Sequence, residues 1–494
     1  MIWNPRMNAH LLLYVLLALF SSSGLAKAAS LSLVGWPYEL SHTSVTEPHA
    51  DPILSDMVCP SLTRLNLLIF ENEPYLLKSI EVRPGTWSLR LKEGLKWWDG
   101  SLVTAEDVEQ FVRQVLSKVS SASAIPEIRK FEFETQKTES SVEIIWKRDP
   151  EVGPYVLNNH PFYRVKAQSQ GSVMCAGLWK INSSSAAMVL EPTQNLSGPT
   201  IQIASQSAEP IQPPFIRFRF GEEIHPSGYT RQIETVLNCD VKLDTNYVSL
   251  LAWNTRQGAA REVKFRNAMT AMIPRGAILR AGAGGLGDLI SAPILRSHPG
   301  YKKTLLVPPY DPQKAENLLN SIGYKRAEDG FRRDPQGNAF ELRVFVKDFD
   351  GSTLLRKVLD DSFRAMGIRV IFSNQKVGDY DAFLASIETS WPDGELSSLL
   401  LNKGTNNEFP FDLIDGDTLA FVRRYAQSLT SPKPDFHLLE KIHELIYSSE
   451  PFSILMQHRM CMDAKTASGR SPSFPSINQR NPEWFKTVFQ EVAK

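Results

Sequence analysis

Few side chains in this sequence stand at spacings that do chemistry. Gly282-Ala283-Gly284-Gly285-Leu286-Gly287 has the G-x-G-x-x-G spacing of a dinucleotide-binding turn. Such a turn needs a strand before it and a helix opening within it, because the helix N-terminal amides hold the pyrophosphate. Here a helical stretch with Arg275 and Arg280 comes first and Asp288 to Pro293 follows, so the run reads as a flexible loop. His437 and His443 lie six apart on a helical segment, whereas two metal ligands share one helix face at i, i+4. Cys59, Cys175, Cys239 and Cys461 include no C-x-x-C and no zinc spacing. They are expected to pack or to form at most one disulfide, and four cysteines leave the partners open among three complete pairings. No G-x-S-x-G elbow, H-E-x-x-H or P-loop occurs. No catalytic residue, metal ligand or cofactor is therefore expected. The chemistry that remains is non-covalent: aromatic walls and carboxylates that hold a ligand.

The chain that must position such groups has 494 residues, room for two large lobes or about three domains. With 42% apolar and 22% charged residues it is an ordinary globular sequence, which excludes wholesale disorder. Lys plus Arg and Asp plus Glu both number 54, so nothing in the overall field favours nucleic acid. Arg6 and the amino terminus precede the apolar run 11–20, and Ala26-Lys27-Ala28 fits an A-x-A cleavage site. Residues 1–28 thus read as a secretory signal peptide, since the run is too short to span ~30 Å of hydrocarbon. The mature chain is expected to start at Ala29 and to be exported and soluble.

The clearest local pattern is 86–116. Trp87, Leu89 and Leu91 alternate with polar residues as in a half-buried strand, and Asp99-Gly100 marks a turn. Thr104 and Asp107 have capping-box spacing ahead of Val108, Phe111, Val112, Val115 and Leu116, an amphipathic helical stripe. Farther on, Phe265, Ala268, Met269, Met272 and Ile273 form a stripe interrupted by Pro274. Asp311-Pro312 starts a helix that Gly323 ends. A strand at 340–346, a helix from about Ser352 to Met366 and strands IRVIF (368–372) and DAFLAS (381–386) imply a parallel crossover unit. A helix from about Asp435 to Tyr447 leads to Pro451 and the strand-like run SILMQHRMCM. The architecture is α/β with mixed sheets.

The segment TWSLRLKEGLKWWDGSLVTAEDV (86–108) resembles the signature of extracellular solute-binding proteins of family 5, the dipeptide- and oligopeptide-binding components of ABC importers. Leu91, Gly94, Lys96, Trp97, Asp99, Gly100, Thr104, Ala105, Asp107 and Val108 carry the likeness. Further blocks follow in family order: MCAGLWKI (174–181), LLAWNTRQGAAREVKFRNAMTAMIPRGAIL (250–279), YDPQKAENLLNSIGY (310–324), LRKVLDDSFRAMGIRVIF and DYDAFLASIETSWPDGELSSLL. The resemblance implies a two-lobed periplasmic binding protein type II fold whose lobes close about a hinge. Lobe 1 would be 29–248 plus 451–494, with the 86–116 motif as a subdomain, and lobe 2 would be 249–450.

In peptide-binding relatives an acidic residue pairs with the ligand's α-amino group, because a closed cleft buries that ammonium and leaves it in need of a carboxylate. By resemblance that residue is Asp393, in Trp391-Pro392-Asp393 after the strand DAFLAS, with Trp391 as an aromatic wall. Trp36 and Tyr38, with His49 and Asp51, occupy regions that line the cleft from the other lobe in relatives. Tyr247 and Trp253 flank the lobe crossing and either line the cleft or brace the hinge. The resemblance implies a monomeric periplasmic protein that binds a small ligand, most readily a peptide, and meets an ABC permease in the inner membrane. Alternatives are another cargo (metal chelate, opine or sugar), a ligand sensor without transport, and an exported hydrolase, which would need a nucleophile–base pair.

Overall fold

The computed structural model describes residues 30–34, 56–66, 71–122, 132–148, 153–158, 160–165, 173–184, 187–193, 200–204, 213–220, 240–346, 352–374, 380–388, 416–429, 431–472, 488–489 and 491–492. The strands in chain order are β1 (Ser30–Val34), β2 (Thr63–Asn66), β3 (Glu71–Pro74), β4 (Leu77–Arg83), β5 (Thr86–Leu91), β6 (Phe133–Lys137) and β7 (Ser141–Trp146). There follow β8 (Tyr163–Val165), β9 (Val173–Cys175), β10 (Trp179–Ser184), β11 (Ala187–Pro192), β12 (Thr200–Ala204), β13 (Phe215–Phe220) and β14 (Val241–Trp253). The last are β15 (Gly287–Asp288), β16 (Lys325–Arg326), β17 (Arg332–Arg333), β18 (Glu341–Val346), β19 (Arg369–Ser373), β20 (Ala382–Glu388) and β21 (Phe452–Lys465). The helices are α1 (Ala105–Ala122), α2 (Val263–Ala271), α3 (Arg275–Ala283), α4 (Pro312–Ser321), α5 (Ser352–Ala365), α6 (Gly416–Ser428) and α7 (Phe436–Ser449).

The 86–116 motif folds as its residues dictate. Trp87, Leu89 and Leu91 are buried on one face of β5, which pairs antiparallel with β4 and β7. Both arms of the capping box form: Asp107 Oδ2 accepts the Thr104 N–H at 2.8 Å, and Thr104 Oγ1 accepts the Asp107 N–H at 3.3 Å. Behind the cap, Val108, Phe111, Val112, Val115 and Leu116 are buried against that sheet in one core. Gly100 closes the turn with φ 85° and donates its N–H to Trp97 O at 2.9 Å. Asp99 pairs with Arg164 at 3.2 Å, whose guanidinium lies 5.0 Å over the Trp97 ring. The signature residues are therefore spent on local architecture.

The crossover unit also forms, with β18 parallel to both β19 and β20. Asp311 caps α4 by accepting the Lys314 N–H at 2.9 Å, and Gly323 ends it at φ 89°. The glycine run is not the flexible loop expected. Gly282 lies in α3, Gly284 at φ 54° is its left-handed C-cap, and Gly287 starts β15. A helix enters this run and a strand leaves it, the reverse of a dinucleotide turn. One disulfide joins Cys59 to Cys175, with Cα atoms 4.9 Å apart. Cys461 is buried with its thiol 3.6 Å from Asp463, and Cys239 lies outside the described residues.

The largest sheet has eleven strands in the order β10-β11-β12-β1-β13-β21-β14-β20-β18-β19, with β15 added on β21. The two longest strands, β14 and β21, pair antiparallel in its middle and pass between separate cores. Leu243 of β14 and Met460, Met462 and Ala464 of β21 pack with β10–β13, the disulfide, Val488 and Phe489. Leu251, Trp253, Leu455 and Met456 pack instead beneath α2–α5, and Val248, Leu250, Phe452 and Ile454 pack on the opposite face with α6 and α7. The hand-over falls where the β14–β21 register is irregular, between Asp244 and Val248. The 62–176 region holds a fourth core of its own.

Candidate functional site

Strand direction picks out one place on this sheet. β1, β12 and β13 are mutually parallel, and β13 runs antiparallel to β21 from Lys465 toward Met460. β18 and β20 are parallel to each other and, through β14, run from the Phe452 end of β21 toward Gln457. The C-terminal ends of both parallel sets therefore face each other across residues 457–463 of β21. Ligands of open α/β sheets bind beyond strand C-termini, where connection topology changes. β1 is followed directly by the segment with Trp36, Tyr38, His49 and Asp51, and β20 by the segment with Trp391 and Asp393. Those six residues lie outside the described residues.

The two remaining candidates are placed. Tyr247 is half-buried on β14 opposite Glu388, the last residue of β20. Trp253 is 0% exposed, packs edge-on against Phe265, and donates its Nε1–H to Ser453 Oγ at 2.8 Å. The ring ties β14 to β21 and is closed off from solvent.

The crossing itself is polar, which the sequence reading missed because its members are far apart in the chain. Ser249 Oγ on β14 and His458 Nε2 on β21 are hydrogen-bonded at 2.7 Å, and burial pushes the His458 pKa down to about 4. Gln457 Oε1 accepts the Arg296 N–H at 3.2 Å, and its buried Nε2 has no hydrogen-bond partner among the described residues. Asp288 on β15 pairs with Arg459 at 2.8 Å. Gly287 is required for that docking, since a Cβ there would stand 2.6 Å from Gln457 O.

A serine–histidine pair does occur elsewhere, and its geometry argues against nucleophilic chemistry. Ser291 Oγ lies 3.0 Å from His443 Nε2. His443 Nδ1 accepts the Lys302 N–H at 3.0 Å, so the ring proton sits on Nε2 and is donated to Ser291, whose own hydroxyl serves Leu305 O at 3.0 Å. No lone pair faces the hydroxyl to take its proton. Burial, helped by the Lys302 charge, pushes the His443 pKa down to about 4. Nearby, Thr270, Arg275, Ser291 and Glu450 line a cavity of about 10 Å³, the size of one water molecule and too small for cargo. Among the described residues no group of three His, Cys, Asp or Glu side chains is gathered to hold a metal, and no helix is long and apolar enough to cross a membrane.

Residues 223–409 match the family described as bacterial extracellular solute-binding proteins, family 5 Middle. The fold is similar to NikA from Brucella suis in complex with Fe(III)-EDTA, with TM-score 0.70 and 16% identity over 88% of this chain and 95% of that one. It is similar to NikZ from Campylobacter jejuni in complex with Ni(L-His), with TM-score 0.64 and 16% identity over 94% and 99%. It is also similar to the oligopeptide-binding protein AppA from Bacillus subtilis in complex with a nonapeptide, with TM-score 0.62 and 17% identity over 88% and 95%. No curated protein matches by sequence. The middle of the chain thus matches the family 5 pattern, and the chain as a whole has the two-lobed α/β fold of these solute-binding neighbours, on a sheet whose two halves meet at crossing strands.

Proposed function

We propose that this chain is the capture component of a bacterial ABC importer, exported to the periplasm and handing peptides to an inner-membrane permease without altering them. The observation that carries this reading is the convergence of parallel strand ends from two differently cored halves on residues 457–463. A ligand seated there touches both halves, so its binding energy favours the closed arrangement over the open one. Lobe 1 comprises 29–248 with 451–494 and lobe 2 comprises 249–450. The motion is a twist of β14 and β21 near the register irregularity at 244–248. Asp393 neutralises a peptide's α-amino group, Trp391, Trp36, Tyr38 and Tyr247 supply apolar wall, and His49 and Asp51 line the lobe 1 side. Trp253 holds the strands against each other.

A second reading, capture of a metal chelate, is favoured by the structural neighbours that hold Fe(III)-EDTA and Ni(L-His). Native mass spectrometry of the mature protein purified from a periplasm in rich medium separates the two. Co-purified peptides of defined length are expected, and Asp393→Ala should release those with free amino ends. A single non-peptide mass moves the assignment to the second reading. Protein that stays empty through repeated peptide titrations removes the first.

A further inference from the structure

Away from the large sheet, one asparagine of the first half is enclosed by backbone of the second. Asn72 stands on the β2–β3 hairpin, beside the core of 62–176. Residues 429–435 join α6 to α7, which pack on the far side of β14 and β20. The Asn72 N–H donates to Pro432 O at 2.7 Å, and its side-chain amide donates to Leu429 O at 3.4 Å and to Ser431 O. Asn158 Nδ2 donates to Asn72 Oδ1, which fixes the amide orientation. Asn72 and Asn158 are only 6% and 7% exposed. At the rim Glu71 pairs with Lys433 at 2.6 Å.

The receiving loop is pre-shaped. Ser431 Oγ bonds Ser428 O at 2.7 Å and Lys433 O at 2.6 Å, and Ser428 Oγ accepts the Asp435 N–H at 3.0 Å. Two carbonyls thereby converge on the Asn72 side-chain amide and a third takes its backbone N–H, without any side chain of the loop taking part. Buried amide–carbonyl bonds hold only if both sides fit, because an amide left buried without partners is costly. Lobes that separate must expose all of these groups together.

We propose that Asn72 is a closure latch: the β2–β3 hairpin clips onto the carbonyls of Leu429, Ser431 and Pro432 when the lobes close, and so sets how long a captured ligand stays. This rests on the two-lobe capture reading above. Asn72→Asp is the test, since a carboxylate replaces the donor facing the Leu429 and Ser431 carbonyl oxygens. Lys433→Glu is the second variant; it lies on the exposed rim, leaves the core untouched and sets like charge against Glu71. Small-angle scattering of each purified protein reports opening whether or not any ligand is present. Dilution followed by native mass spectrometry reports retention of co-purified ligand, and far-UV circular dichroism reports folding.

Asn72→Asp is expected to raise the radius of gyration and to speed ligand loss about tenfold, the equivalent of one hydrogen bond to a buried partner. Lys433→Glu should shift both readouts the same way by a smaller, salt-sensitive factor. Folded variants with wild-type dimensions and wild-type retention overturn the latch. Should Asn72→Asp fail to fold, Lys433→Glu alone decides by the same criterion. Opening of a protein that never carries a ligand supports the latch while removing support for capture, so the two readings fail separately.

Discussion

Protonating His443 should destabilise this protein as pH falls from about 6.5 toward about 4. The neutral imidazole is 0% exposed, accepts the Lys302 N–H at Nδ1 and donates Nε2–H to Ser291. A proton added at Nδ1 turns that acceptor into a donor facing a donor, in a site where charge is poorly solvated. The folded pKa is accordingly pushed down to about 4, against 6.5 for an ordinary histidine. The unfolded chain therefore takes up a proton that the folded chain refuses. Stability is full above about pH 6.5 and falls progressively as pH drops toward about 4. At about 1.4 kcal/mol per pKa unit, the loss through this ring is about 3 kcal/mol. His458 shares the same window, for the same reason of burial. His443→Gln is the discriminating variant, because its carboxamide can accept from Lys302 and donate to Ser291 but does not titrate. Urea unfolding followed by tryptophan fluorescence between pH 7.5 and 4 measures the difference. Between those limits His443→Gln should lose about 3 kcal/mol less than the wild type. Parallel curves for the two proteins would refute the assignment of the neutral ring.

Two further outcomes follow from packing around the disulfide. Cys59→Ser with Cys175→Ser opens a link across 116 residues, for which chain entropy gives a loss of about 4–5 kcal/mol; calorimetry should show a lower Tm, matched by adding reductant to the wild type. Gly177→Ala places a Cβ 2.2 Å from Val58 O and 2.5 Å from Met57 O, so backbone must move at a cost of about 3 kcal/mol. Gly330→Ala, at φ 81° with nothing within 4 Å, should cost only about 1 kcal/mol, and an equal Tm shift for the two would contradict the steric account.

The parts of the fold legible in the sequence are those written in neighbouring residues. Thr104 and Asp107 announce their cap because both partners of each hydrogen bond lie three residues apart. The alternation in 340–346 and the stripe of α5 give strand and helix, and short links give the parallel crossover. What stayed hidden was long-range. Nothing near Cys59 or Cys175 names the other, and the Asn72 cradle joins positions 357 residues apart. The glycine run misled because its spacing suits a loop, whereas the left-handed cap at Gly284 and the docking of Gly287 on β21 hold it in place. The run after Pro451 read as an apolar strand, but that it lies between β13 and β14 is a property of topology alone.

That position of β21 bears on how the chain comes to be folded. Among the described strands β21 comes last in the chain, yet both halves of the large sheet need it as an inner strand. β13 and β14 have no partner on the β21 side until it is supplied. Synthesis from the N-terminus therefore delivers an incomplete sheet for most of its duration, and the decisive pairings span more than 200 residues. Such non-local closure is slow. Until β21 is in place, the edges of β13 and β14 that will receive it stay open to pairing with other strands.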